Sequence, residues 1–197
     1  MSRDFAQYGA KAIPSNSENF IMEPYYSSLR IDTGLLLGQA ERFFETGMLL
    51  LDEYPDLAIK EFIQAVEIAP LPEYFIHLAS AYATNAINCG DNSYLEDAVL
   101  MCEYAIESDS NYGQAYHDKG CYLVRLGQLE DAIKCFETAL STSNLPCRAE
   151  TYLNIGMVQE KFGLWTEAKA AYKSSWRYSP SFHQGFERYK RLISFSN

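Results

Sequence analysis

Between Tyr116 and Leu140, apolar and small residues recur at three- and four-residue steps. Tyr116, Gly120 and Leu123 fall before Gly127, and Ala132, Phe136, Ala139 and Leu140 fall after it. Asp118, Lys119, Arg125, Glu130 and Asp131 occupy the positions between them. This spacing predicts two amphipathic helices. Gly127 can take a positive φ and end the first of them. The pattern then returns 36 residues later, where Tyr116, Gly120, Gly127, Ala132, Phe136 and Ala139 map onto Tyr152, Gly156, Gly163, Ala168, Tyr172 and Ser175. A fixed period of this length predicts stacked helix–turn–helix units.

Two earlier units are more degenerate. The first shows Ala58, Phe62, Ala65 and Pro70, but its Gly47 stands one residue too close to them, so an altered turn is expected at Tyr54-Pro55-Asp56. The second shows Phe75, Leu78, Ala79 and Tyr82, then Ala98, Cys102 and Ala105. It carries about seven extra residues within Ala83 to Asp97, which predict a lengthened first helix followed by a short loop. The loop from Ser141 to Arg148 holds two further residues and Pro146. Near the end, Phe186, Tyr189 and Ile193 recur at helical spacing among Glu187, Arg188, Lys190 and Arg191. They predict a terminal helix that covers the last apolar face, since a stack of repeats needs a polar end.

Position by position these units resemble the tetratricopeptide repeat. That family places an aromatic and then a small residue in the first helix, Ala, an aromatic and Ala in the second, and a closing proline. The third unit carries Tyr116, Gly120, Leu123, Ala132, Phe136 and Ala139 in those places, and the fourth carries Tyr152, Gly156, Ala168, Tyr172 and Pro180. Gln159 stands where the pattern has Tyr or Leu, and Ser110 replaces the proline that would close the second unit. The resemblance runs from Gln39 to Phe195. It implies an all-α, right-handed superhelical solenoid of about four units with a C-terminal capping helix. The units fall at 39–71, 72–112 (with the insertion), 113–148 and 149–182, and the cap at 183–195, within a repeat domain spanning 33–197.

Residues 1–32 do not fit the repeat. Pro14, Ser15, Asn16 and Ser17 predict a partly flexible start to this arm, while Phe20, Ile21, Met22, Tyr25, Tyr26, Leu29 and Ile31 are apolar enough to pack. The arm is expected to pack on the first repeat, to occupy the groove of its own chain or of another copy (the latter making a homo-oligomer), or to order on a partner. A helix is expected from Asp32 or Thr33 through Leu51.

In function, the resemblance implies a non-catalytic scaffold or adaptor that holds a peptide or protein segment in its concave groove. A dedicated assembly or secretion chaperone is the alternative within the fold, and an enzyme accessory or regulatory subunit the alternative outside it. The resemblance also implies that the first helix of each unit lines the groove. The second unit would contribute Glu73, Ile76, His77 and Ser80, and the third Gln114, His117, Asp118, Cys121, Val124 and Arg125. The fourth would contribute Glu150, Leu153, Asn154, Met157, Glu160 and Lys161. Some members clamp a carboxylate with Lys, Asn and Arg. Those places here hold His117, Cys121, Asn154, Gln184 and Arg188, of which only Asn154 and Arg188 agree. From these sets come the candidate peptide-binding residues: Glu73, Ile76, His77, Gln114, His117, Cys121, Arg125, Leu153, Asn154, Met157 and Arg188.

Charge narrows the partner. The 197 residues carry a net charge of −10, which repels phosphate backbones and points to protein rather than nucleic acid. Arg177, Arg188, Lys190 and Arg191 gather near the C-terminus, read as a solvated helix face, with a docking patch for an acidic partner as the sharper alternative. The five cysteines, Cys89, Cys102, Cys121, Cys135 and Cys147, are odd in number and lack paired spacing, so free thiols in the cytoplasm or another reducing compartment are expected. No secretory leader and no membrane span is read in the sequence. His117 and Cys121, four apart, with His77 and Asp118 near, could suggest a metal, but a groove histidine and a small filler explain them better. No phosphate loop, nucleophile elbow or other cofactor motif is present. Trp165 and Trp176 are expected to pack.

Overall fold

The computed structural model describes residues 33–194, and among them it contains nine helices and no strand. They are α1 Thr33–Leu50, α2 Pro55–Ile68, α3 Pro72–Cys89, α4 Ser93–Ser108, α5 Gly113–Arg125, α6 Leu129–Ser141, α7 Arg148–Lys161, α8 Trp165–Tyr178 and α9 His183–Ser194. The arm at 1–32 and Phe195 at the end of the cap lie outside the described residues. Successive helices pair as α1 with α2, α3 with α4, α5 with α6 and α7 with α8, and α9 packs on α8. Each pair also packs on the next, so the stack forms a solenoid in which contacts run between neighbours.

One contact recurs at the heart of three pairs. A Cβ placed on Gly120 would lie 2.5 Å from the Phe136 ring, on Gly156 2.5 Å from Tyr172, and on Gly47 2.6 Å from Phe62. Each aromatic ring is wholly buried. The missing side chain on the first helix admits the ring of the second, and burial of such a ring contributes about 1.5–3 kcal/mol. The first pair makes this contact despite its shorter spacing because the difference is absorbed in the turn. Tyr54 N–H donates to the Leu50 carbonyl at 2.7 Å, and Pro55 then opens α2 with a φ already suited to a helix. The other turns use glycine. Gly127 (φ 79°) and Gly163 (φ 73°) donate to Val124 and Glu160, while Gln128 and Leu164 reach back to Leu123 and Gln159. These paired bonds satisfy the carbonyls that the helix end leaves open.

The insertion in the second unit is helical. α3 runs to Cys89 and stops at Gly90 (φ 68°), as the lengthened-helix reading expected. Buried Asn85, in the added turns, donates to Asp56 Oδ1 at 2.7 Å and so fastens the extension to the start of α2. The longer loop before α7 is held by Arg148, which donates to the carbonyls of Leu140 (2.8 Å) and Thr142 (3.0 Å). Gly113 leaves the space this loop fills, since a Cβ there would lie 2.2 Å from Thr142 Oγ1.

Two packing expectations divide. Trp176 packs on Phe186, with ring centroids 4.9 Å apart. Trp165 does not pack as expected: it opens α8 beside the Gly163 turn and is 57% exposed, because the first residue of a helix at the solenoid edge has no neighbouring pair to cover it.

The glycine contact gives a measurable expectation. Gly120→Ala and Gly156→Ala overpack an interior with no slack and are each expected to cost about 1–3 kcal/mol. Gly38→Ala, where nothing lies within 4 Å, removes flexibility without a clash. It is expected to be neutral or stabilising by up to about 1 kcal/mol. Urea denaturation of the three variants distinguishes the two effects.

Candidate functional site

The two walls of the solenoid differ. α3 touches α5, α5 touches α7, and α7 touches α9, whereas the even-numbered helices make no comparable contact with one another. α1 reaches α3 through Phe44, whose ring stacks on Tyr74 at 4.6 Å and meets His77 edge-on at 5.0 Å. The odd-numbered helices therefore crowd together on the inside of the curve. That crowding decides which of their side chains remain available.

Among the candidate residues, Glu73 and Arg125 are exposed, and His77, Gln114, Cys121, Asn154 and Met157 are half-buried along the inner wall. Three candidates are covered. Ile76 belongs to the core formed by the first units, and Leu153 packs with Ala168, Tyr172 and Leu192. His117 is buried beside Phe136. His117 bonds across to Thr151 on α7 and Leu153 meets Leu192 on α9, so both join successive helices of the wall, while Ile76 is sealed in the core of the first units. Arg188 is half-buried and engaged. Its Nη1 donates to Glu160 Oε2 at 3.1 Å, and Arg191 Nη2 and the Tyr172 hydroxyl also donate to that carboxylate. Burial works against the Glu160 charge, but these donors outweigh it and hold the carboxyl below its ordinary range.

A polar seam joins α5 to α7. Thr151 Oγ1 donates to the Cys147 carbonyl at 2.9 Å, so the His117 Nδ1–H must donate to Thr151 Oγ1, 2.8 Å away. The free Nε2 then accepts from the Cys121 thiol at 3.6 Å, and Asn154 Nδ2 donates to the same sulfur at 3.3 Å. On the other side, Cys147 donates to Gln114 Oε1 at 3.2 Å, and Gln114 Nε2 donates to Asp118 Oδ1 at 2.8 Å. Burial, reinforced by Asp118, pushes the Cys121 thiol up to about 12, and burial brings Cys147 to about 11. Neither is a thiolate at neutral pH, so the seam is built to hold two repeats in register and not to react. Among the described residues, no group of three or more His, Cys, Asp or Glu could hold a metal ion.

The first helix of the wall carries a surface that the candidate residues did not include. Leu37, Phe44 and Met48 share one face of α1, and Leu37 and Met48 are 50% and 41% exposed. The seven- and four-residue steps between them are visible in the sequence. The displaced Gly47 hides them, because it obscures where the first unit begins.

The seam titrates in two opposing directions. Burial lowers His117 from 6.5 to about 4, so the unfolded chain takes up that proton first. Its contribution to stability is complete above about pH 6.5 and is lost as the pH falls towards 4. Burial raises Asp118 from 3.8 to about 6, against the pull of Gln114, so the folded chain holds that proton more tightly. Its contribution is greatest below about pH 3.8 and is lost as the pH rises to 6. Relative to the parent chain, Asp118→Asn is expected to steepen the loss of stability on acidification from about pH 6.5 to 4. His117→Gln is expected to flatten or reverse it. Urea midpoints across that range read both slopes.

Comparison with known proteins agrees with this architecture. Residues 113–144 match the family model of the tetratricopeptide repeat. Among solved structures, PilF of Pseudomonas aeruginosa superposes with a TM-score of 0.71 at 19% identity, covering 81% of this chain and 69% of its own. A tetratricopeptide-repeat protein of Thermus thermophilus gives 0.62 at 19% identity, covering 87% and 86%. The first repeat domain of Spaghetti (RPAP3), solved with the HSP90 peptide SRMEEVD, gives 0.55 at 22% identity, covering 64% and 97%. Residues 113–144 thus carry a tetratricopeptide repeat, and the stack they belong to has the fold of tetratricopeptide-repeat proteins.

Proposed function

We propose that this chain is a non-catalytic scaffold or adaptor that holds a segment of another protein against the wall formed by its odd-numbered helices. The observation that carries the reading is the mixed, half-open surface of that wall. Leu37, Phe44, Met48 and Met157 offer apolar anchors, the exposed Glu73 carboxylate and half-buried His77 stand between them to set register, and Gln114 and Asn154 add polar surface fixed in place by their seam bonds. Each anchor that a partner buries fully contributes about 1.5–3 kcal/mol, and the ordering of a flexible ligand offsets part of the sum. An assembly or secretion chaperone would use the same wall.

Capture of an acidic peptide, such as the SRMEEVD seated on the Spaghetti domain, is not the mode supported here. The clamp places His117 and Cys121 are tied into the seam, and Arg188 already pairs with Glu160. A carboxylate needs several free cationic donors to offset its desolvation.

Photo-crosslinking tests the wall. A benzoylphenylalanine at Met157 or His77 is expected to give a discrete adduct in native lysate. The same group at Lys134 or Glu137, on the exposed outer face of α6, is expected to give none. Adducts from α6 with none from the inner wall would refute the proposal.

A further inference from the structure

The N-terminal end of the wall has a character of its own. Leu37, Phe44 and Met48 form a stripe along about three turns of α1, roughly 16 Å in length. Phe44 carries the stripe across to His77 on α3. The charges beside this apolar strip are of one sign. α1 and α3 together hold Glu41, Glu45 and Glu73 against a single cation, Arg42. Arg42 stands on the far side of α1 from Phe44, whereas Glu41 lies about one helical turn from both Leu37 and Phe44, and Glu45 about one turn from Met48. That the three carboxylates converge is seen at Tyr74, under the Phe44 ring. Its hydroxyl is held above its ordinary range by burial first, and then by Glu41, Glu73 and Glu45.

We infer that this end of the groove receives a basic amphipathic helix, whose apolar face lies on Leu37, Phe44 and Met48 and whose Lys or Arg side chains reach Glu41, Glu45 and Glu73. The inference rests on the inner-wall reading above and adds the chemistry of the partner. Two helices from adjacent pairs make a channel of the shape that accepts a third, with anchors every three or four residues. The charge selects sign: an acidic helix would meet three carboxylates, and among the described residues of α1 and α3 no cation stands on this face to receive it.

Fluorescence anisotropy of the full chain with three labelled synthetic peptides tests this. The first is a sixteen-residue amphipathic helix of Leu and Lys, the second the same peptide with Glu for Lys, and the third oligolysine. The Leu/Lys peptide is expected to bind and the other two to bind at least about tenfold more weakly. Glu41→Gln combined with Glu45→Gln and Glu73→Gln is expected to lose about tenfold in affinity and most of the salt dependence. Leu37→Ser combined with Met48→Ser, both exposed positions that the fold does not need, is expected to lose a similar factor with its salt dependence intact. Circular dichroism verifies that each variant is folded. Equal binding of the Lys and Glu peptides, or an unchanged triple variant, overturns the basic-helix inference while leaving the groove in place. If oligolysine binds as well as the Leu/Lys peptide, general charge attraction replaces it. If binding survives all these substitutions and a labelled peptide crosslinks only to α6, the inner-wall reading falls with it.

Discussion

Two helices can cross closely only where one of them gives up its side chain. In three of the four pairs that place is a glycine, and the space it leaves is filled by a ring from the partner helix: Phe62 on Gly47, Phe136 on Gly120 and Tyr172 on Gly156. The rest of the solenoid follows from this contact. It sets how near the helices of a pair lie, hence how the pair presents its flanks to the next. Stacking those flanks then brings the odd-numbered helices together on one side. The inner wall is a consequence of volumes chosen in the interior of each pair.

Much of this could be read from the chain because the contact demands particular residues at a fixed spacing. Gly120 with Phe136 and Gly156 with Tyr172 stand sixteen apart, and Gly127 and Gly163 mark the turns between them. The lengthened α3 was legible for a related reason: its apolar run continues through Ala83 and Ala86 before Gly90 allows a stop. The first unit was harder, since removing one residue from a turn displaces the pattern without displacing the packing.

The functional side chains were less legible. A period locates a residue on a helix, but its exposure depends on how closely the next helix approaches, and no local pattern encodes that. Thus Ile76, His117 and Leu153, which share a wheel face with the groove, are sealed in the interior, while Gln114, Cys121 and Asn154, about 40 to 100° round, stay half-open. Arg188 shows the same difficulty for charge. Its partner Glu160 is 28 residues away, and only the docking of α9 brings them together. Trp165 erred in the other direction, because a large apolar residue at the edge of a stack can lack a neighbour.

The second pair points to what the interior permits. Where its neighbours place a glycine opposite a ring, it places Ala79 and Cys102, both fully buried, at the corresponding positions. Bulk has moved from one helix to the other, and the pair still takes its place in the stack. Drift within a unit is therefore constrained as a pair of volumes and not as two separate identities. Such a scaffold can rewrite the lettering along its inner surface from one descendant to another, acquiring new clients while its bore and pitch stay the same.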